Sequence, residues 1–155
     1  MAGWRTVAAA RKGILSLMFA EVVVLVVVLG AATAFGLVRR FTDGRLKRLS
    51  RPDTCVLTAP ELGGPLGRRA TIVQFSTPYC QVCRPTRVML EGIAARADGV
   101  RYVEVSSERD LALVRRLGVM RTPTVLLLDR SGSVAWRGSG QPSRANVLEA
   151  LSEVA

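Results

Sequence analysis

Histidine is missing from all 155 residues. That excludes Ser/His and Cys/His nucleophile pairs and every metal site built on an imidazole. Cysteine is scarce. Three residues, an odd number, cannot make a disulfide framework and leave at least one thiol over. Acids are outnumbered, with 12 Asp and Glu against 22 Lys and Arg and a formal net charge of +10. Aromatics make up only 5%. Apolar residues, in contrast, form 49% of the chain, and the mean hydropathy of +0.27 is high for a soluble protein. A disulfide-stapled miniprotein, a disordered chain and a His-ligated metalloenzyme are all excluded.

The apolar excess is concentrated. Residues 13–38 read GILSLMFAEVVVLVVVLGAATAFGLV, with Glu21 the one ionisable side chain. This run exceeds the ~20 residues a helix needs to cross a bilayer. A Val-rich segment is still helical there, because the backbone must bond to itself where no water enters. Arg11 and Lys12 bound it on one side, Arg39 and Arg40 on the other, with Trp4 and Phe41 placed as interfacial aromatics. It reads as a single-pass anchor in membrane lipid behind an N-terminal tail, residues 1–12. The rival is a signal peptide cleaved at Ala32-Thr33-Ala34. The run is longer than a usual signal core and continues past that site to Val38.

Residues 39–53, RRFTDGRLKRLSRPD, hold six cations and two acids. They read as a basic juxtamembrane linker suited to anionic headgroups. An interleaved aromatic series for base stacking is lacking, so nucleic acid is not an expected partner. Residues 54–155 carry thirteen cations and nine acids and are only mildly basic. Six cations follow the apolar run and three precede it. The positive-inside bias therefore favours a cytoplasmic C-terminal domain, with the extracytoplasmic side as the alternative.

Over residues 54–155 strand and helix signals alternate. Residues 55–58 (CVLT) read as an edge strand, followed by a Gly/Pro-rich loop. The β-branched run 70–76 (ATIVQFS) reads as a central strand. A helix is predicted over 81–97, with Val82, Val88, Met89, Ile93 and Ala97 near one face. Residues 100–105 alternate as a strand, and 108–117 form an amphipathic helix stopped by Gly118. Residues 124–128 (TVLLL) are a buried strand, turned at Asp129–Gly132 into a hairpin partner from Val134 to Arg137. A last helix spans 143–153, with Val147, Leu148 and Leu151 inward. Strands separated by helices imply parallel pairing, with one antiparallel edge. The fold class is α/β: a small mixed sheet with helices on both faces.

One constellation carries chemistry. Cys80-Gln81-Val82-Cys83 follows a buried strand and opens a helix. Positive charge at a helix N-terminus, with Arg84 nearby, stabilises a thiolate. The second cysteine, one turn on, is placed to attack a mixed disulfide formed on the first. Haem attachment needs a His after the pair, and position 84 is Arg. Zinc needs about four ligands, and only Cys55 could supplement the pair; the expectation is no metal. Cys55 itself reads as a core cysteine or a second redox partner. Downstream, Pro123 in Arg121-Thr122-Pro123-Thr124 directly precedes an apolar strand. Either a cis Thr122–Pro123 bond or a trans proline at a strand start accounts for it.

Together these residues resemble the thioredoxin family: the strand 72–75, the CQVC motif, Gly118-Val119 with Thr122-Pro123-Thr124, the hairpin at Gly132 and the final helix after Gly140. The resemblance covers roughly residues 54–155. It implies a three-layer sandwich and thiol–disulfide exchange through a redox-active Cys80–Cys83 disulfide. Cys80 would be the nucleophile and Cys83 the resolving thiol. A cis Pro123 would lie beside them, with Tyr79, Thr122, Pro123 and Gly140 facing the substrate. No bound cofactor is implied. The implied partners are protein disulfide or dithiol substrates and a thiol electron donor.

The chain departs from the pattern at several positions. Tyr79 stands where Trp is common. Gln74 occupies the place of a buried aspartate. Gln81-Val82 replaces Gly-Pro, Pro85 falls early in the helix, and the helix before the central strand is reduced to the loop 59–67. The resulting expectation is a membrane-anchored thiol–disulfide oxidoreductase that reduces protein disulfides. Two rivals stay open: a disulfide-forming oxidase or isomerase outside the membrane, and a non-catalytic module presenting a peptide groove.

Overall fold

The computed structural model describes residues 21–38, 44–49 and 55–154. The tail 1–12, the first part of the apolar run (13–20) and linker positions 39–43 and 50–53 lie outside the described residues. The chain divides into two units between residues 42 and 43.

The first unit contains helix α1, Glu21–Val38, with a mean hydropathy of 2.4 over its 18 residues. At the helical rise it is about 27 Å long, close to the hydrocarbon thickness of a bilayer. Its large side chains from Val22 to Leu29 are each more than half exposed. Thr33 donates its hydroxyl to the Leu29 carbonyl at 2.7 Å, so even this polar group is satisfied within the helix. Among the described residues, length and composition thus give one helix long and apolar enough to cross a membrane.

The second unit is a five-stranded mixed sheet among the described residues, in the order β1-β5-β4-β2-β3. The strands are β1 (Lys47–Arg48), β2 (Ala70–Ser76), β3 (Val100–Ser106), β4 (Thr124–Asp129) and β5 (Val134–Ser139). Helices α2 (Cys83–Ala94), α3 (Leu111–Arg116) and α4 (Arg144–Val154) alternate with them. Period-2 alternation splits β2 between two cores. Val73 and Phe75 join Val105, Leu126, Leu128 and Leu113 under α3. Ile72 joins Leu90, Ile93, Val125, Leu127, Val147 and Leu151 under α2 and α4. This is the three-layer arrangement that the resemblance implies.

Several local expectations are corrected. The stretch 44–49, read as linker, contributes β1, whose Lys47 and Arg48 pair antiparallel with Arg137 and Trp136. Residues 55–58 make only an isolated bridge, Val56 with Ser133. Parallel pairing holds for β2–β3 alone; β4 runs antiparallel to both of its neighbours. A six-residue α3 rises only about 9 Å. That is too short to carry the chain back along a seven-residue strand, so β4 starts from the end at which β3 finished. Helix α2 begins at Cys83, not 81, which puts Pro85 in the first turn, where its missing N–H breaks no helical bond. Its inward face is Cys83, Thr86, Leu90 and Ile93, while Val82 and Val88 are exposed. In α4, Ala150 takes the inward place expected for Leu148.

Loop 58–64 stands in for a helix, and an ion pair holds it. Glu61 accepts hydrogen bonds from the Thr58 N–H at 2.8 Å and the Thr58 hydroxyl at 2.9 Å. It also meets Arg116 of α3 at 2.6 Å. The Arg116 hydrogen bond, then that of the Thr58 amide, lowers the carboxyl pKa from 4.5 to about 2. The folded state therefore binds this proton less readily than the unfolded state. The stabilisation is whole above pH 4.5 and disappears as pH falls to about 2. Glu61→Gln is expected to cost about 1 kcal/mol at neutral pH, since the pair is partly exposed. Urea midpoints of the variant and the parent should converge near pH 2.

Gly44 fixes where the chain joins the sheet. Its φ is +83° and a Cβ there would lie 1.9 Å from the Gln141 carbonyl oxygen, while its N–H donates to Ser139 at 2.8 Å. Gly44→Ala is expected to cost about 1–3 kcal/mol through this conformation and clash. Faster hydrogen exchange at the Leu49 amide, which bonds the Ala135 carbonyl, would report the loosening of β1.

Candidate functional site

The site is built where β2 ends and α2 begins. Thr77 follows the last residue of β2, and its carbonyl accepts the Cys80 N–H at 3.2 Å. The Cys80 carbonyl accepts the Cys83 N–H at 3.2 Å, closing the CxxC turn. A disulfide joins Cys80 and Cys83, with the Cα atoms 5.3 Å apart. Cys80 is half-buried, whereas Cys83 is only 3% exposed. The two cysteines thus differ in access: Cys80 is partly open to the surface and Cys83 is enclosed by the core. Cys80 lies in the turn just ahead of α2, at the positive end of the helix. Tyr79 beside it is 88% exposed.

The second segment comes from the loop before β4. The Thr122–Pro123 peptide bond is cis. The Thr77 and Thr122 hydroxyls lie 3.4 Å apart, which places this loop against the turn that carries Cys80. Thr124 ties the loop back on itself, its hydroxyl donating to the Arg121 carbonyl at 2.7 Å. Gly140 donates its N–H to the Pro123 carbonyl at 2.7 Å. Its φ of +95° is one that glycine adopts without cost. Cys80, Cys83, Thr122, Pro123 and Gly140 therefore belong to one connected rim. Tyr79 flanks it in solvent. Cys55 is a free, half-buried cysteine packed against the core under α3.

Sequence reasoning noticed Gln74 only as a missing carboxylate. The side chain is completely buried. Its Nε2 donates to the Cys83 carbonyl at 2.9 Å, and Tyr102 Oη donates to its Oε1 at 3.0 Å. Burial, then the negative charge of Glu104, pushes the Tyr102 hydroxyl pKa up. Glu104 is held by Arg87 of α2 and by the Ser76 hydroxyl. A hydrogen bond to Glu104 raises the Arg87 pKa in turn. The signal for this group was present in part, since Gln74 interrupts an apolar strand and Tyr102 and Glu104 share one face of β3 by alternation.

No family model matches the chain. Its structure resembles solved thioredoxins. Thioredoxin-2 of the malaria parasite, described as a component of the protein secretion machinery, is 17% identical with a TM-score of 0.52. That match covers 60% of this chain and 90% of that one. The thioredoxin of Fasciola hepatica is 20% identical with a TM-score of 0.51, covering 57% and 84%. Thioredoxin F of spinach chloroplast is 21% identical with a TM-score of 0.51, covering 57% and 78%. The second unit thus has the thioredoxin fold, with a cysteine pair closed as a disulfide at the start of α2.

Proposed function

We propose that the chain is a membrane-anchored thiol–disulfide oxidoreductase that reduces protein disulfides. The observation that carries this reading is the unequal access of two bonded sulfurs beside a cis-proline loop. Only Cys80 is reachable by a protein substrate, so only Cys80 begins the exchange. Once a thiol donor has reduced the pair, the Cys80 thiolate attacks one sulfur of the substrate disulfide. That S–S bond breaks, a mixed disulfide forms, and the first substrate thiolate leaves and takes up a proton. Cys83, as thiolate, then attacks Cys80 Sγ. The mixed disulfide breaks, the second substrate thiol is released, and the Cys80–Cys83 bond is restored. Two electrons have passed to the substrate. Tyr79 and the rim of Thr122, Pro123 and Gly140 receive an extended substrate segment. Helix α1 holds the protein in the lipid, and the charge asymmetry around residues 13–38 supports a cytoplasmic domain.

The test uses the full chain in detergent micelles, reduced and then mixed with a protein carrying an accessible disulfide. The pair at positions 80 and 83 should be lost to alkylation in step with the appearance of two substrate thiols. Persistence of both thiols while the substrate stays oxidised refutes the reading. For sidedness, intact cells treated with a membrane-impermeant reductant and then a membrane-impermeant thiol reagent should leave Cys80 unlabelled; labelling moves the domain to the outer side.

A further inference from the structure

In the oxidised protein a covalent bond fixes Cys83 against Cys80. During exchange that bond is gone, because Cys80 is joined to the substrate, and Cys83 must be held by other means. Within the first turn of α2 the ties beside Cys83 fall on its neighbour: the Thr86 N–H and hydroxyl both bond the Val82 carbonyl, at 3.2 and 2.7 Å, and Val82 at the N-cap gives the helix no side-chain hydrogen bond. The Cys83 carbonyl, however, is gripped from the sheet. Gln74 lies at the centre of the packed sheet, with β4 on one side and β3 on the other. Its amide Nε2 bonds that carbonyl at 2.9 Å. The amide is in turn oriented by Tyr102, whose hydroxyl takes Oε1 at 3.0 Å and leaves Nε2 facing the helix. The bonds run in one direction, from phenol to amide to peptide carbonyl, with Gln74 sealed from water.

We infer that Gln74 and Tyr102 are positioning residues for Cys83, holding its main chain in place while the Cys80–Cys83 bond is open. This deepens the proposed exchange reaction and rests on it. The two bonds do not touch Cys80, so they act on the second step and not on the first. They also keep the open dithiol close to its closed geometry, which favours reclosure.

The experiment measures the two steps separately in the full chain in micelles. A fluorophore–quencher peptide disulfide serves as the substrate. Two variants are compared with the parent: Tyr102→Phe, which keeps the ring packing and removes one hydroxyl, and Gln74→Leu, which keeps the bulk and removes both bonds. Mixed-disulfide formation should stay within about twofold of the parent, while its resolution by Cys83 slows about tenfold in Gln74→Leu and less in Tyr102→Phe. The equilibrium constant for closing the pair against glutathione should fall by a similar factor. Unchanged resolution in both variants overturns the inference, as does an equal slowing of both steps, which is the signature of general structural damage. If the parent itself forms no mixed disulfide, the exchange reading fails first and the inference falls with it.

Discussion

Serine at position 80 is expected to lower the rate of protein disulfide reduction by about a thousandfold or more, to the uncatalysed background. The reacting species is a thiolate. A hydroxyl in its place stays protonated near neutrality, and Cys83 cannot substitute, because its sulfur is buried beneath the turn. Cys83→Ser should behave differently. Cys80 remains accessible and still attacks, but nothing resolves the product, so mixed disulfides accumulate and turnover stops after one event. Initial rates with a small dithiol donor check the first variant, and non-reducing gels under alkylation check the second. Activity equal to the parent in both variants would end the assignment of the pair.

The largest expected loss of stability comes from Phe75→Ala. Phe75 is the largest of the fully buried side chains among the described residues. It lies in the core under α3, with Val73, Val105, Leu126 and Leu113. Truncation removes most of a benzyl group from a packed interior and leaves a cavity, costing about 3–5 kcal/mol. A domain of this size has only about 5–15 kcal/mol in total. The cost falls near the site as well. Phe75 pairs across the sheet with Thr124, the residue after Pro123, and precedes Thr77 by two positions. The urea midpoint should drop sharply with the slope unchanged. A loss under about 1 kcal/mol would mean the neighbours close the gap, contrary to a core closed around Phe75.

The reactive pair and the proline loop were legible in the sequence because each is a local signal. Cys80 and Cys83 are separated by a fixed spacing, and Thr122-Pro123-Thr124 precedes a run of apolar residues. Strands β2 and β4 were legible for the same reason, since burial on both faces writes itself as a run rich in apolar and β-branched residues, broken in β2 by Gln74. Strand β1 was not. It is two residues long, both charged and exposed, and its place depends on backbone pairing with β5, which leaves no mark on side-chain pattern. The direction of β4 was hidden too, because it is decided by the length of α3. The inward face of α2 was misjudged because its buried positions include Cys83 and Thr86, which no apolar periodicity marks. Gln74 and Tyr102 are 28 residues apart and meet only once β2 and β3 are paired in register.

The place where the chain joins the sheet has a mechanical consequence. Gly44 is bonded to Ser139, and leaves no room for a Cβ beside the Gln141 carbonyl, on either side of Gly140, whose N–H supports Pro123. A pull on the polypeptide ahead of Gly44 is thus borne first by the Gly44–Ser139 bond at 2.8 Å, and behind it by the β1–β5 seam. The next link to take the load is the Pro123 loop itself. Tension there is thus passed through residues 139–141 to the loop that packs against the Cys80 turn.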